Sequence, residues 1–210
     1  NYNISVLSAA RFFLFASRDA WFDVPLPFYL RSAQGFGWER APAAALLGGW
    51  IILYGQVQSW TPQLVSQPLN QFPANKYHAT LWAVINAAIP LVLGCFLQFS
   101  DMFRFHRTGP LVAVVIVGLF VFATVFAINS SIHSYLAVKY SAHDKVAMDI
   151  GFYYMSNSAG RLLGTLVGGA LFGFLDNYRV GFAACFWLSL ALTLVAAAIT
   201  PFLKDEVGGL

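Results

Sequence analysis

The sequence DIGFYYMSNSAGRLLGTLVGGALFG, residues 149–173, predicts a membrane-spanning helix with two stripes of special residues. Residues four apart lie on the same face of a helix. The polar stripe consists of Asp149, Tyr153, Asn157 and Arg161, and the small stripe consists of Ser156, Gly160, Gly164 and Gly168. The small stripe predicts helix packing at close range, as small residues do in membranes. A charge near mid-span costs roughly 2.5–3.5 kcal/mol on insertion scales, so Arg161 requires a partner or a water-filled cavity.

The composition places the whole chain in a lipid bilayer. Of its 210 residues, 59% are hydrophobic and only 10% are charged, whereas soluble domains carry about 25% charged residues. The net charge of +3 is small and dispersed along the chain. It predicts no nucleic-acid partner, because nucleic-acid binding requires a concentrated basic surface.

The apolar runs predict an all-α membrane protein with six transmembrane helices. The expected spans are residues 4–30, 43–65, 78–99, 111–136, 146–174 and 180–203. The sixth span has almost no polar residues, so we expect it to be the most exposed to lipid. Spans two, three and six are expected to act as scaffold. The loops on one side of the membrane carry four lysines, and those on the other side carry five arginines. The charge of the loops therefore does not determine the orientation.

The first span carries four ionisable residues, Arg11, Arg18, Asp19 and Asp23. Ionisable residues within a membrane are candidates for function. The alternative is a buried ion-pair network that holds helices together, such as Arg161 with Asp19. For Arg11, a second alternative is that its side chain extends to the membrane interface.

Polar residues in the fourth and fifth spans complete the candidate site. Asn129 and His133 lie one turn apart, where they either hydrogen-bond between helices or contact an anion or a proton. Asp149 is either a solvated residue at a helix start, favoured by the helix dipole, or a proton carrier. Arginines with amide and hydroxyl donors suit an anionic substrate, since guanidinium groups match phosphate and carboxylate oxygens. The candidate substrate-binding residues are Arg18, Arg161, Arg11, Asn157, Tyr153, His133 and Asn129; the candidate proton carriers are Asp19, Asp23 and Asp149.

The sequence predicts no enzyme, metal site or cofactor. The motifs GxSxG, HExxH and CxxC and the P-loop are all missing from it. His133 and His143 lack the spacing of metal ligands.

Three segments resemble a known transporter family. They are SAARFFLFASRDAWF (8–22), FAINSSIHSYL (126–136) and DIGFYYMSNSAGRLLGTLVGG (149–169). They resemble the C-terminal half of the ArsJ family, organoarsenical efflux transporters of the major facilitator superfamily. The resemblance implies one six-helix bundle over residues 1–210, built as a 3+3 inverted repeat with repeats at about 1–100 and 109–210. It also implies a multi-pass protein of the inner (plasma) membrane with its N terminus in the cytoplasm.

The resemblance further implies export of 1-arseno-3-phosphoglycerate, which gives arsenate resistance. It implies a functional link to glyceraldehyde-3-phosphate dehydrogenase, which makes this compound when arsenate replaces phosphate. A complete transporter of this superfamily has twelve spans, so we expect a missing N-terminal six-helix half as partner, together with the lipid bilayer. The chain is then a fragment, a split-gene product or half of a homodimer. The alternatives are an exporter of another phosphorylated or carboxylated metabolite, and a scaffold or regulatory half without transport of its own.

Overall fold

The computed structural model describes residues 1–99 and 109–204, and this part of the chain is helical throughout, without a strand. The expected break between repeats, at 100–109, lies outside the described residues except for Gly109. The helices are α1 (Tyr2–Phe22), α2 (Pro25–Arg31), α3 (Arg40–Thr61), α4 (Lys76–Gln98), α5 (Gly109–Tyr140), α6 (Val146–Gly173) and α7 (Tyr178–Ile199). A π-helical turn, Pro62–Ser66, follows α3, and a 3-10 turn, Thr200–Phe202, follows α7.

Three of these helices are long and apolar enough to cross a membrane: Lys76–Gln98, Gly109–Tyr140 and Tyr178–Phe202, which joins α7 to its 3-10 turn. The sequence predicts six membrane-spanning helices, but only three helices of the described residues are both long and apolar enough to cross a membrane. Helices α1, α3 and α6 have the length, at 21, 22 and 28 residues. Their charged, amide and glycine residues lower their apolarity. Helix α1 alone carries six of the sixteen polar or charged side chains that are buried among the described residues.

Local sequence explains several of the helix ends. Asn75 begins α4 because its side chain accepts hydrogen bonds from the backbone N–H groups of Tyr77 and His78, at 3.0 and 3.2 Å. The Asn75 backbone N–H in turn donates a hydrogen bond to His78 Nδ1, which completes a capping box. Pro25 and Pro27 lie where the first predicted span breaks into α1 and α2.

Helix α1 lies at the centre of the packing, with α6 and α7 against it, while α4 packs on α5 and α7, and α3 packs on α5. An aromatic core joins three of these helices around Trp21 of α1. The Trp21 ring stacks on Phe186 of α7 at 5.3 Å and meets the edge of Phe122 of α5 at 5.0 Å. The Trp50 indole donates a 2.8 Å hydrogen bond to the Leu119 carbonyl, which fastens α3 to α5.

The expectation that the sixth span is the most exposed is wrong. Helix α7 buries Phe182, Cys185, Phe186, Ser189 and Thr193 against its neighbours. Helix α3 buries only Ala43, Trp50 and Thr61 of its 22 residues. A uniformly apolar helix suits lipid and protein surroundings equally well, so its composition does not distinguish a buried position from an exposed one.

Candidate functional site

The glycine stripe of α6 lies directly on the backbone of α1. A Cβ added to Gly160, Gly164 or Gly168 would fall 2.2, 2.3 or 1.9 Å from a carbonyl oxygen of α1. Those oxygens belong to Phe12, Ala16 and Ala20. The Ser156 hydroxyl extends this contact by donating a 2.7 Å bond to the Ser8 carbonyl. Only residues without a side chain allow this approach, and it brings the polar stripe of α6 beside the ionisable residues of α1.

Asp19 is the acceptor for two arginines. Its carboxylate is fully buried and accepts from Arg18 Nε through one oxygen and from Arg161 Nε, at 2.8 Å, through the other. Arg161 reaches this carboxylate across the α1–α6 contact, while 49% of its side chain stays exposed. The ion pair between Arg161 and Asp19, one of the two sequence interpretations, is therefore present.

Asp23 extends this ionic group toward the end of α1. One of its oxygens accepts from the Thr165 hydroxyl at 3.1 Å and lies 4.0 Å from Arg161 Nη2. Two guanidinium groups and two carboxylates thus lie together, and their formal charges sum to zero. We call Arg18, Asp19, Asp23 and Arg161 the ionic clamp.

Arg11 differs from the other two arginines because it pairs with no carboxylate of the described residues. It is only 3% exposed, so its side chain lies inside the helix bundle. Its Nε donates to Asn157 Oδ1 at 3.1 Å, and its Nη1 donates to the carbonyl and hydroxyl oxygens of Ser130, at 3.2 and 3.0 Å. The Phe15 ring lies under the guanidinium, 4.0 Å from Cζ to the ring centroid. This cation is therefore held by neutral groups alone.

Tyr54 of α3 joins this arrangement through its hydroxyl, which lies 3.1 Å from Ser130 Oγ. We call Arg11, Tyr54, Ser130 and Asn157 the donor cluster. Neither Tyr54 nor Ser130 is among the site residues predicted from the sequence, and α3 is expected there to be scaffold. Tyr54 lies one helical turn after the buried Trp50 and its ring stacks on that indole, a contact that the spacing within α3 does not reveal by itself.

Other predicted site residues lie next to the donor cluster. The Tyr153 ring is fully buried, with its centroid 5.2 Å from Arg11 Cζ. Asn129 and His133 are fully buried on α5, and within the described parts of the chain their side chains have no hydrogen-bond partner. Buried amide and imidazole groups without partners are uncommon and costly in folded proteins. This part of the interior is thus more polar than packing alone explains.

Asp149 lies apart from both clusters, at the start of α6. Its Oδ2 accepts from Asn1 Nδ2 at 2.9 Å and from the Ala142 backbone N–H at 3.0 Å. The Asn1 amide also donates to the Tyr140 carbonyl at 2.6 Å. These bonds connect the start of α1, the end of α5 and the α5–α6 turn.

Comparison with known proteins identifies no family for the chain: no protein-family model and no curated protein matches it.

Proposed function

We propose that this chain is one six-helix half of a major facilitator transporter that exports an anionic organoarsenical, 1-arseno-3-phosphoglycerate, and so gives arsenate resistance. The resemblance of the three sequence segments to ArsJ transporters supports the family and the solute. Three helices long and apolar enough to cross a membrane support a place in the bilayer.

The pattern of helix contacts supports an inverted repeat of three helices. The five most extensive interfaces join α1 to α6, α1 to α7, α4 to α7, α3 to α5 and α4 to α5. Exchanging α1, α3 and α4 with α5, α6 and α7 turns the α1–α6 contact into α5–α3 and the α1–α7 contact into α5–α4. The α4–α7 contact is exchanged with itself. A 3+3 repeat requires this relation.

The observation that carries the proposal is the charge of the interior. Three buried or half-buried guanidinium groups lie among α1, α5 and α6, with only two carboxylates paired to them. The unpaired charge is that of Arg11. A permanent cation in a membrane interior is costly unless it pairs with an anion or faces water. A solute with phosphate and arsenate groups provides such an anion.

The test uses the complete transporter that contains this chain, expressed in an arsenate-sensitive host with and without glyceraldehyde-3-phosphate dehydrogenase. We expect growth in arsenate and loss of cell-associated arsenic only when both proteins are present. Equal arsenic retention with and without the transporter would contradict the proposed solute.

A vesicle assay distinguishes the alternative, export of another phosphorylated or carboxylated metabolite. Everted membrane vesicles are supplied with labelled glycerol 3-phosphate or succinate. Uptake of either compound, combined with no effect on arsenate resistance, would favour the alternative. No uptake and no resistance would favour a scaffold or regulatory half.

A further inference from the structure

The donor cluster holds more hydrogen-bond donors than its own acceptors use. Arg11 has five N–H groups, and its hydrogen bonds to the described residues use Nε and Nη1 but not the two N–H groups of Nη2. Asn157 accepts through Oδ1, and its own NH₂ group has no partner within the described residues. The free donors thus come from α1 and α6.

The hydroxyl pair of Tyr54 and Ser130 adds one more donor. Ser130 Oγ already accepts from Arg11 Nη1, and the two hydroxyls share one hydrogen bond in which either is the donor. Two hydroxyl groups have two protons, and this bond uses one of them. The remaining proton is therefore able to bond to a third group, whichever way the pair is oriented.

The charge of the donor cluster matches this excess of donors. Arg11 contributes one positive charge, and no described carboxylate pairs with it. The ionic clamp differs, because there the guanidinium groups of Arg18 and Arg161 bond to Asp19. A solute anion at the clamp has to displace an internal carboxylate, whereas an anion at Arg11 does not.

We propose that the donor cluster binds one phosphate or arsenate group of the transported solute, an inference that rests on the transport function proposed above. The donors approach from α1, α6 and the α3–α5 pair, and so from three directions. A tetrahedral phosphate monoester offers three terminal oxygens for them, whereas a planar carboxylate offers two. Tyr54 and Asn157 are half-buried, and they mark the side from which the solute enters.

The experiment measures equilibrium binding of glycerol 3-phosphate and of inorganic phosphate to the purified complete transporter in lipid nanodiscs by titration calorimetry. Succinate is the carboxylate comparison. Arg11→Gln removes the charge and should weaken phosphate binding about tenfold to a hundredfold, the range of charge-assisted hydrogen bonds. Tyr54→Phe keeps the ring contacts with Trp50 and Phe126 and should weaken binding about threefold to tenfold.

Tyr135→Phe is the matched control. It removes a hydroxyl from α5 that has no described hydrogen bond, and its ring faces Phe72. We expect unchanged binding in this variant. Elution profile and melting temperature are recorded for every variant, so that loss of binding is separated from loss of fold. If Arg11→Gln does not fold, the nearly isosteric Tyr54→Phe still tests the proposal.

Two results overturn the inference while leaving the transport function intact. One is normal phosphate binding by well-folded Arg11→Gln and Tyr54→Phe proteins, which would make the cluster purely structural. The other is loss of binding in Arg161→Gln with normal binding in Tyr54→Phe, which would place the anion at the ionic clamp. If the unaltered transporter binds neither phosphate compound, the inference and the proposed function both fail.

Discussion

Asp19 shows why a charged residue in an apolar helix is not by itself evidence for a solute. The side chain is fully buried, and its two oxygens take bonds from guanidinium groups on α1 and α6. Buried ion pairs gain little net stability, but removing one member leaves a buried charge uncompensated. The sequence alone shows the cations and carboxylates of this interior. It does not show which of them pair, because Arg161 and Asp19 are 142 residues apart.

Replacing Asp19 with Asn should therefore destabilise the protein strongly. Arg18 and Arg161 would lose their shared carboxylate, and we expect a loss of about 3–5 kcal/mol. The measurement is the melting temperature of the purified protein in detergent, with Asp23→Asn as comparison because that carboxylate is partly exposed. Arg161→Gln should lower the free energy of unfolding less in the Asp19→Asn protein than in the unaltered protein. Strictly additive effects would show that the two residues do not interact.

At the scale of elements, the glycine stripe sets how closely α1 and α6 approach. A methyl group at Gly164 would lie 2.3 Å from the Ala16 carbonyl oxygen, and backbone atoms there do not move independently. Gly151 lies on the same helix, and a Cβ at that position would meet nothing within 4 Å. The two positions therefore allow a direct comparison within one helix.

Gly164→Ala should separate α1 from α6 and cost about 1–3 kcal/mol or more, as overpacked contacts do. Gly151→Ala should be neutral or slightly stabilising, since alanine favours the helix by about 0.5–1 kcal/mol over glycine. Thermal unfolding of the two variants side by side checks this difference. Equal melting temperatures would mean that α1 and α6 do not touch at Gly164.

The contact between α3 and α5 depends on the Trp50 side chain. Trp50→Phe removes the indole hydrogen bond to the Leu119 carbonyl together with part of a buried ring. We expect a loss of about 1–3 kcal/mol. Trp60→Phe is the control on the same helix, because Trp60 is exposed. A similar effect of both changes would argue against a buried anchor at Trp50.

At the scale of the whole molecule, the exposed surfaces of α3 and α6 are the least complete part of the packing. A Cβ at Gly48, Gly49 or Gly55 of α3 would meet no atom within 4 Å. Small residues on a helix surface suit a second helix rather than lipid chains. These surfaces are where we expect the second half of the proposed transporter to pack.

The chain expressed by itself should accordingly be short-lived in cells, and co-expression of the other six-helix half should lengthen its half-life. Pulse-chase labelling measures this directly. Co-expression of an unrelated membrane protein at the same level serves as the control. If the half-life of the chain is the same alone, with the other half and with the control protein, then its stability does not depend on a partner half.

Periodicity was enough to predict the helical class, the position of most long helices and the two stripes of α6. A spacing of four residues determines a helix face, and this holds in any surroundings. The burial of α7 and the role of Tyr54 were not predictable in this way. Both depend on which helices are neighbours, and a pattern within one helix carries no information about its neighbours. The same limit explains why no sequence pattern shows that Arg18 and Arg161 share a carboxylate while Arg11 bonds to neutral groups.

The direct backbone contact between α1 and α6 also limits how a transporter built from this chain can move. Three glycines packed against three carbonyl oxygens leave no room for sliding, so we expect the two helices to move together as a rigid pair. Arg11, Asp19, Asn157 and Arg161 keep their mutual distances during such a shift. The transport cycle of the proposed function then requires movement at other contacts, such as the less extensive ones that α5 makes with this pair.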